Sequence, residues 1–203
     1  MRHERLAPPV GVPVSFDPLG FECSYECEVR PSTAEEKDGA VFIPGDLSPG
    51  RRASCDCLVI RVRTGSGATW KAAIYGSHPF DGYVEGVFGT PRRDCLLVVT
   101  GGFAFLIPVD RPRESERVCG YTTGLVAAPT LGVLALADHD TLLGLGPAGP
   151  SWETERLSLC CLRLKTVEEG VLLGDAEDTS SRDVPFRVDL RDGSHHGGWE
   201  GTP

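Results

Sequence analysis

The sequence lacks the features that a membrane-spanning, exported or nucleic-acid-binding protein would show. No apolar run approaches the roughly 20 residues that a helix needs to cross a bilayer. The opening residues MRHERLAPP lack the apolar core of a secretory signal. Basic residues are scarce as well: 20 Lys and Arg stand against 29 Asp and Glu, whereas nucleic-acid-binding proteins usually carry a basic face. We therefore expect a cytoplasmic protein that binds neither membranes nor nucleic acids.

Long stretches of good helix-forming residues are also absent, and the chain has a single Met. Its 25 Gly and 16 Pro together make up about a fifth of the 203 residues. Hydrophobic residues still account for 40%, which is enough for a core and argues against disorder. This composition favours many short strands joined by turns.

What the sequence does contain is a short apolar run that recurs every 38 residues. Cys57, Cys95, Val133 and Val171 open the four copies. In the first three copies, a short break rich in Gly, Thr, Asp or His leads to a second apolar run, which is typical of a β-hairpin. A fixed period of this size indicates a repeated supersecondary unit. Further candidate strands lie between the hairpins, so that each unit holds three or four strands.

Such a unit has the strand content of a propeller blade, although blade repeats are somewhat longer, at about 40–50 residues. We therefore expect an all-β fold of repeated short antiparallel meanders, forming a propeller or an open fan of blades. A β-sandwich or barrel with evenly spaced strands is the alternative. The all-β domain would comprise residues 51–203, in about four units of 38 residues. Residues 1–50 contain seven prolines and would wrap this core as an irregular segment that supplies an edge strand.

One part of the chain also resembles known proteins. It contains WETERLS from position 152, LRL from 162, DVPFRVDLRDG from 183 and a glycine pair at 197 and 198. In this combination, residues 124–199 look like the C-terminal portion of a set of uncharacterised bacterial proteins with blade-like repeats. The resemblance implies a blade-like fold and carries no activity, ligand or site residue with it.

Two close cysteine pairs are the arrangement that suggests a metal. Cys23 and Cys27 are four residues apart, and Cys55 and Cys57 are two apart. Zn²⁺ binds four thiolates tetrahedrally, and the first pair has the spacing of a zinc knuckle, whereas the second is tighter. Cys57 also fills the repeat position that Cys95 or valine holds elsewhere, which favours a small buried apolar side chain. Zinc is therefore the one cofactor that the sequence suggests, as an alternative to eight reduced thiols.

Other candidate residues are weaker. Asp138, His139 and Asp140 form the break of the third hairpin and are candidates for a ligand-binding face, although turns favour these residues for backbone reasons as well. Cys160 and Cys161 are adjacent, and on a strand they would point to opposite faces, one in the core and one outside. The Gly-x-Ser-x-Gly elbow of many hydrolases is missing, and no glycine-rich loop opens a helix.

The missing catalytic motifs, together with the repeat, favour a non-enzymatic domain. We expect it to bind another protein, or a ligand, through loops at one face of the repeats. A first alternative is a hydrolase-type enzyme whose Asp, His and Ser residues come from different loops. A second is a small zinc-binding module built on the two cysteine pairs.

Overall fold

The protein is an all-β structure of short antiparallel meanders, as the sequence predicts. A computed structural model describes residues 5–6, 15–31, 41–43, 57–75 and 82–199. Within these ranges, eighteen strands form four sheets, and one short 3-10 helix (Pro112–Glu114) lies between two of the strands. None of the described segments is a helix of the length and apolar character that a membrane span requires.

The strands follow one another along the chain. They are β1 (Arg5–Leu6), β2 (Phe16–Asp17), β3 (Tyr25–Pro31), β4 (Val41–Ile43), β5 (Cys57–Thr64), β6 (Thr69–Tyr75), β7 (Gly86–Gly89), β8 (Cys95–Thr100), β9 (Phe103–Pro108), β10 (Glu116–Cys119), β11 (Gly124–Ala128), β12 (Val133–Ala137), β13 (Leu142–Gly146), β14 (Gly149–Glu153), β15 (Leu162–Glu168), β16 (Val171–Glu177), β17 (Asp183–Asp189) and β18 (His195–Gly197).

We number the four sheets I to IV in the order of the chain. Their strand orders are β3-β5-β6-β4 in sheet I, β2-β7-β8-β9-β10 in sheet II, β1-β11-β12-β13-β14 in sheet III and β15-β16-β17-β18 in sheet IV. Neighbouring strands are antiparallel except for β2 beside β7 and β4 beside β6. Positions 57, 95, 133 and 171 open β5, β8, β12 and β16. Each of these strands lies between the first and third strands of its meander, so the 38-residue period marks corresponding strands in successive sheets.

Apolar layers pack the sheets face to face in the order I, II, III, IV. Between sheets I and II, Ile60 and Val62 pack with Leu96, Val98 and Ile107. The layer between sheets II and III includes Phe88, Leu97, Val99, Leu125, Leu134 and Leu136. The layer between sheets III and IV includes Val126, Ala135, Ala137, Leu172, Phe186 and Val188. Alternate residues of one strand thus pack into different apolar layers, because successive side chains point to opposite faces of a sheet.

Sheet IV ends the stack with a polar face. Along β16, Leu172 and Ala176 are buried against sheet III, whereas Asp175 belongs to the other face. On that outer face Asp175 pairs with Lys165 of β15. A polar outer face on the terminal unit keeps a stack of repeats soluble. Within the described residues, no apolar layer joins sheet IV to sheet I.

Sheet I is inverted relative to the other sheets, in that its strands run opposite to the corresponding strands of its neighbour. The backbone N–H of Ser24, beside the β5–β6 turn, donates to the carbonyl of Arg93 at 2.9 Å. The indole N–H of Trp70 donates to the carbonyl of Val109 at 2.6 Å. Arg93 and Val109 lie where β8 begins and β9 ends, so the β5–β6 turn is next to the β7–β8 turn rather than the β8–β9 turn. Corresponding strands of sheets I and II therefore run in opposite directions.

The proline-rich N-terminal part supplies strands to three sheets, which is more than the one edge strand expected from the sequence. β1 extends sheet III beside β11, and β2 extends sheet II beside β7. β3 and β4 belong to sheet I. A buried hydrogen bond of 2.9 Å from the Tyr25 hydroxyl to the Cys95 carbonyl joins β3 to sheet II. This part of the chain therefore runs along the stack.

Candidate functional site

The candidate site lies at the end of sheets II and III where β8 and β12 finish. Asp138, His139 and Asp140 form the turn that follows β12, which the Asp138 N–H closes by donating to the Thr141 carbonyl at 3.0 Å. The Asp138 carboxylate accepts a hydrogen bond from the backbone N–H of His139. Asp138 therefore stabilises the turn itself, which is the backbone role that turns commonly give to Asp.

The His139 ring packs among aromatic side chains. Its Nε2 lies 3.2 Å from the Tyr83 hydroxyl, and its Nδ1 is buried without a hydrogen-bond partner. The ring centroid is 5.8 Å from that of Tyr83 and 5.3 Å from that of Tyr121. Tyr121 lies in turn 6.0 Å from Phe103. We call Tyr83, Phe103, Tyr121 and His139 the aromatic cluster.

Four separate segments build the aromatic cluster. Tyr83 precedes β7, Phe103 opens β9, Tyr121 follows β10 and His139 is in the β12–β13 turn. Only His139 was singled out from the sequence, although Tyr83 and Tyr121 are one 38-residue period apart, a signal that could have drawn attention to them. All the ring separations fall within the 4.5–7 Å typical of aromatic pairs in contact, so a ligand would stack on the outside of the cluster.

Tyr121 is the exposed member of the cluster. It is 53% exposed and is the one large hydrophobic side chain exposed among the described residues. Its backbone has φ of 56°, in the left-handed region that non-glycine residues rarely adopt. Such strain costs about 1–3 kcal/mol and tends to occur where a side chain is held in place for function.

Two partly buried carboxylates and one arginine flank the aromatic cluster. Glu85 accepts the N–H of Gly101 at 2.8 Å, and burial raises its pKa. Burial also raises the pKa of Asp138. On another side, the guanidinium of Arg117 lies 5.5 Å from the centre of the Phe103 ring. The two carboxylates have lost solvation, so an approaching cation would stabilise their charged forms.

The cluster does not have the arrangement of a hydrolase site. Such a site needs a nucleophile bonded to a base that a third group orients. Here Asp138 bonds to the backbone of His139, and the ring nitrogen Nε2 contacts the phenol of Tyr83. The nearby Cys119 is also unsuited to attack, because burial raises its pKa to about 11 and keeps it protonated at neutral pH.

One cysteine of each predicted pair, Cys27 and Cys57, can be placed in sheet I, and their backbones are far apart. Cys27 of β3 is opposite Val62 of β5, whereas Cys57 opens β5 five residues earlier. Five residues of strand span roughly 16 Å, while two thiolates on one zinc ion lie about 4 Å apart. One zinc ion bound by both Cys27 and Cys57 would require β3 and β5 to separate. Burial instead raises the pKa of Cys27 to about 12, and Cys55 lies outside the described residues.

The prediction for Cys160 and Cys161 was wrong. Both side chains are exposed, and their Sγ atoms are 3.3 Å apart. The two residues precede β15, which begins at Leu162, so the alternation of a strand does not apply to them. Their thiols instead lie near the carboxylate of Glu177, at the end of β16.

Two comparisons with known proteins bear on the family of this chain. No protein-family model matches the chain, and no curated protein matches it. The resemblance of residues 124–199 to bacterial proteins with blade-like repeats thus stays a prediction. The aromatic cluster and the charges around it are the observations that bear on function.

Proposed function

We propose that the protein is a non-enzymatic interaction domain that binds a partner protein through the aromatic cluster. Exposure of the Tyr121 ring on a strained backbone is the observation that carries this proposal. Tyrosine is among the residues that dominate binding energy at protein interfaces. Tyr83, Phe103 and His139 pack around the Tyr121 ring, so binding would order few additional side-chain rotamers and would cost little entropy.

The chemistry of the partner follows from the charges around the aromatic cluster. The face of a tyrosine ring attracts Arg and Lys side chains. Glu85 and Asp138 place two partly desolvated carboxylates nearby, on a different side of the cluster from Arg117. The chain has a net charge of −9, which attracts a basic partner from a distance. The proposed partner is therefore a basic segment of another protein, with an Arg or Lys stacked on Tyr121.

We regard sheets II to IV as propeller-like, since these successive meanders pack face to face like blades, whereas sheet I is inverted. Loops of sheets II and III then meet at one end to form the surface, in the way that repeat proteins present loops at one face. Among the described residues, the arrangement of side chains supports hydrolase activity less than it supports binding.

Binding to immobilised decapeptides of basic, neutral and acidic composition tests the proposal. The wild type should be retained best on the basic peptides. Tyr121→Ser should reduce that retention at least about tenfold, since a central aromatic residue typically contributes 2 kcal/mol or more. Tyr83→Phe is the matched control, because it keeps the ring and removes the hydroxyl that contacts His139.

Tyr121→Ser leaves the net charge unchanged, so adsorption by charge alone would survive this substitution. Equal retention of the wild type and Tyr121→Ser on basic peptides would therefore reject the aromatic cluster as the docking surface. Equal retention on all three peptide classes would reject the basic partner.

A further inference from the structure

Three potential metal ligands that do not belong to the aromatic cluster converge beside sheet IV. The Sγ atoms of Cys160 and Cys161 and a carboxylate oxygen of Glu177 all lie within 4.8 Å of one another. The cysteines come from the connection between sheets III and IV, and Glu177 ends β16. Both thiols are exposed and can be reached by an ion from solution.

One fully buried side chain, Ser158, holds the backbone of these ligands together. Its hydroxyl accepts the N–H of Cys161 at 3.2 Å and the N–H of Glu177 at 2.9 Å. It also lies 2.9 Å from the Cys161 carbonyl, to which it donates. Since Ser158 is 0% exposed, water does not compete for these bonds. The two chain segments that carry the ligands are thereby fixed next to each other.

Further hydrogen bonds fix the connection itself. The Leu159 N–H donates to the Glu177 carbonyl at 3.1 Å. The Arg156 guanidinium donates to the carbonyls of Ser158 at 2.9 Å and Leu159 at 3.0 Å. Arg156 is held in turn by Asp140, with 3.0 Å between Nε and Oδ2. An ion would thus meet ligands on a backbone that is already in position, which reduces the entropy lost on binding.

We propose that Cys160, Cys161 and Glu177 bind a thiophilic divalent cation of the zinc class. Two sulfurs and one carboxylate oxygen form a ligand set that suits Zn²⁺, whereas Mg²⁺ and Ca²⁺ take oxygen ligands. With Zn–S bonds of about 2.3 Å, tetrahedral geometry places two sulfurs about 3.8 Å apart. The 3.3 Å separation of the two Sγ atoms needs only a small side-chain rotation to reach this value. Three protein ligands leave the fourth position open to water or another ligand.

Titration of the 203-residue chain with Co²⁺, in a phosphine reductant that keeps the thiols reduced, tests this site. The absorption spectrum of bound Co²⁺ identifies its ligands, because thiolate coordination adds a charge-transfer band in the near ultraviolet. The wild type should bind one Co²⁺ per chain with this band and release it to Zn²⁺. Cys160→Ser and Cys161→Ser should each weaken binding at least about 100-fold, since even loss of an outer-shell partner costs about 10–100-fold. Glu177→Gln should weaken it less, by about tenfold, because the glutamine amide keeps a neutral oxygen that can still bind the ion.

A double substitution, Cys23→Ser with Cys27→Ser, is the matched control and should leave Co²⁺ binding unchanged. Alkylation of the unmodified chain gives a second readout that needs no variant: Zn²⁺ should protect Cys160 and Cys161 from iodoacetamide. The site is overturned if the wild type shows no charge-transfer band, if Cys160→Ser and Cys161→Ser bind as the wild type does, or if Zn²⁺ gives no protection. Loss of binding in the Cys23 and Cys27 double variant overturns it as well. Failure of this site would leave the proposal for the aromatic cluster intact.

Discussion

Sheets III and IV are built from the same repeat, yet they differ in how many of their faces are buried. All five residues of β12 in sheet III are buried, because Leu134 and Leu136 face sheet II while Ala135 and Ala137 face sheet IV. In β16 of sheet IV, buried and half-buried residues alternate. A strand in a sheet that is packed on both faces thus has a continuous apolar sequence. A strand in the terminal sheet, which is packed on one face, has an amphipathic sequence instead.

Truncation of one leucine in each sheet should show the largest difference. Leu136→Ala removes a fully buried side chain between sheets II and III and should lower the free energy of unfolding by about 2–5 kcal/mol. Leu173→Ala removes a half-buried side chain of β16 that lies outside the described apolar layers. It should cost about 1 kcal/mol or less. Urea denaturation of both variants measures the two losses, and equal losses would mean that the outer face of sheet IV is covered.

The turns that follow β12 and β16 should respond to pH in opposite directions. Burial raises the pKa of Asp138, whereas backbone hydrogen bonds from Arg182 and Ser180, with the Arg182 side chain, lower the pKa of Asp178. At neutral pH, ionised Asp138 therefore costs stability, and the cost disappears as pH falls through its raised pKa. Asp178 contributes stability above the unfolded pKa of about 3.9 and loses that contribution as pH falls further.

We accordingly expect Asp138→Asn to raise the melting temperature at pH 7 and Asp178→Asn to lower it, each by about 1–2 °C. Asparagine keeps an oxygen that can accept the turn hydrogen bonds, so the charge is the main change. Melting curves at pH 7 and pH 3 check this prediction. Both differences from the wild type should shrink at the lower pH, and shifts of the same sign at pH 7 would contradict the contrast.

The smallest effect is expected for the ion pair on the outer face of sheet IV. Lys165→Ala breaks the contact between the exposed Lys165 and the largely buried Asp175 and should cost about 0.2–1 kcal/mol. In about 1 M salt the loss should shrink, because the Lys165 side chain is 58% exposed and the Debye length is then about 3 Å. A loss that persists in high salt would show that the Lys165 side chain stabilises sheet IV by packing instead of charge.

The sequence predicts the parts of the fold that depend on local burial. The apolar runs opened by Val133 and Val171 locate strands because buried strands require such runs. The inversion of sheet I cannot be predicted in this way, since the alternation of Ile60 and Val62 is the same in either strand direction. β1 and β2 are only two residues long and carry no periodicity.

The candidate sites were less predictable than the strands. Asp138, His139 and Asp140 could be recognised as a turn, but the aromatic cluster depends on contacts between four distant segments. Cys160 and Cys161 were misassigned because the sequence does not mark where β15 begins. The backbone contacts of the buried Ser158, which bring Glu177 next to them, are likewise formed only by the folded chain.

The pairing of β1 has a consequence for synthesis of the protein. Arg5 pairs with Ala127, which the ribosome adds 122 residues later. At about 5–20 residues per second, β1 waits roughly 6–24 s for its neighbour. Its backbone donors and acceptors stay unmatched during this delay, as do those of β2 until β7 is made. Early binding of this segment by a chaperone would therefore protect the nascent chain at the stage when its strand edges are most open to aggregation.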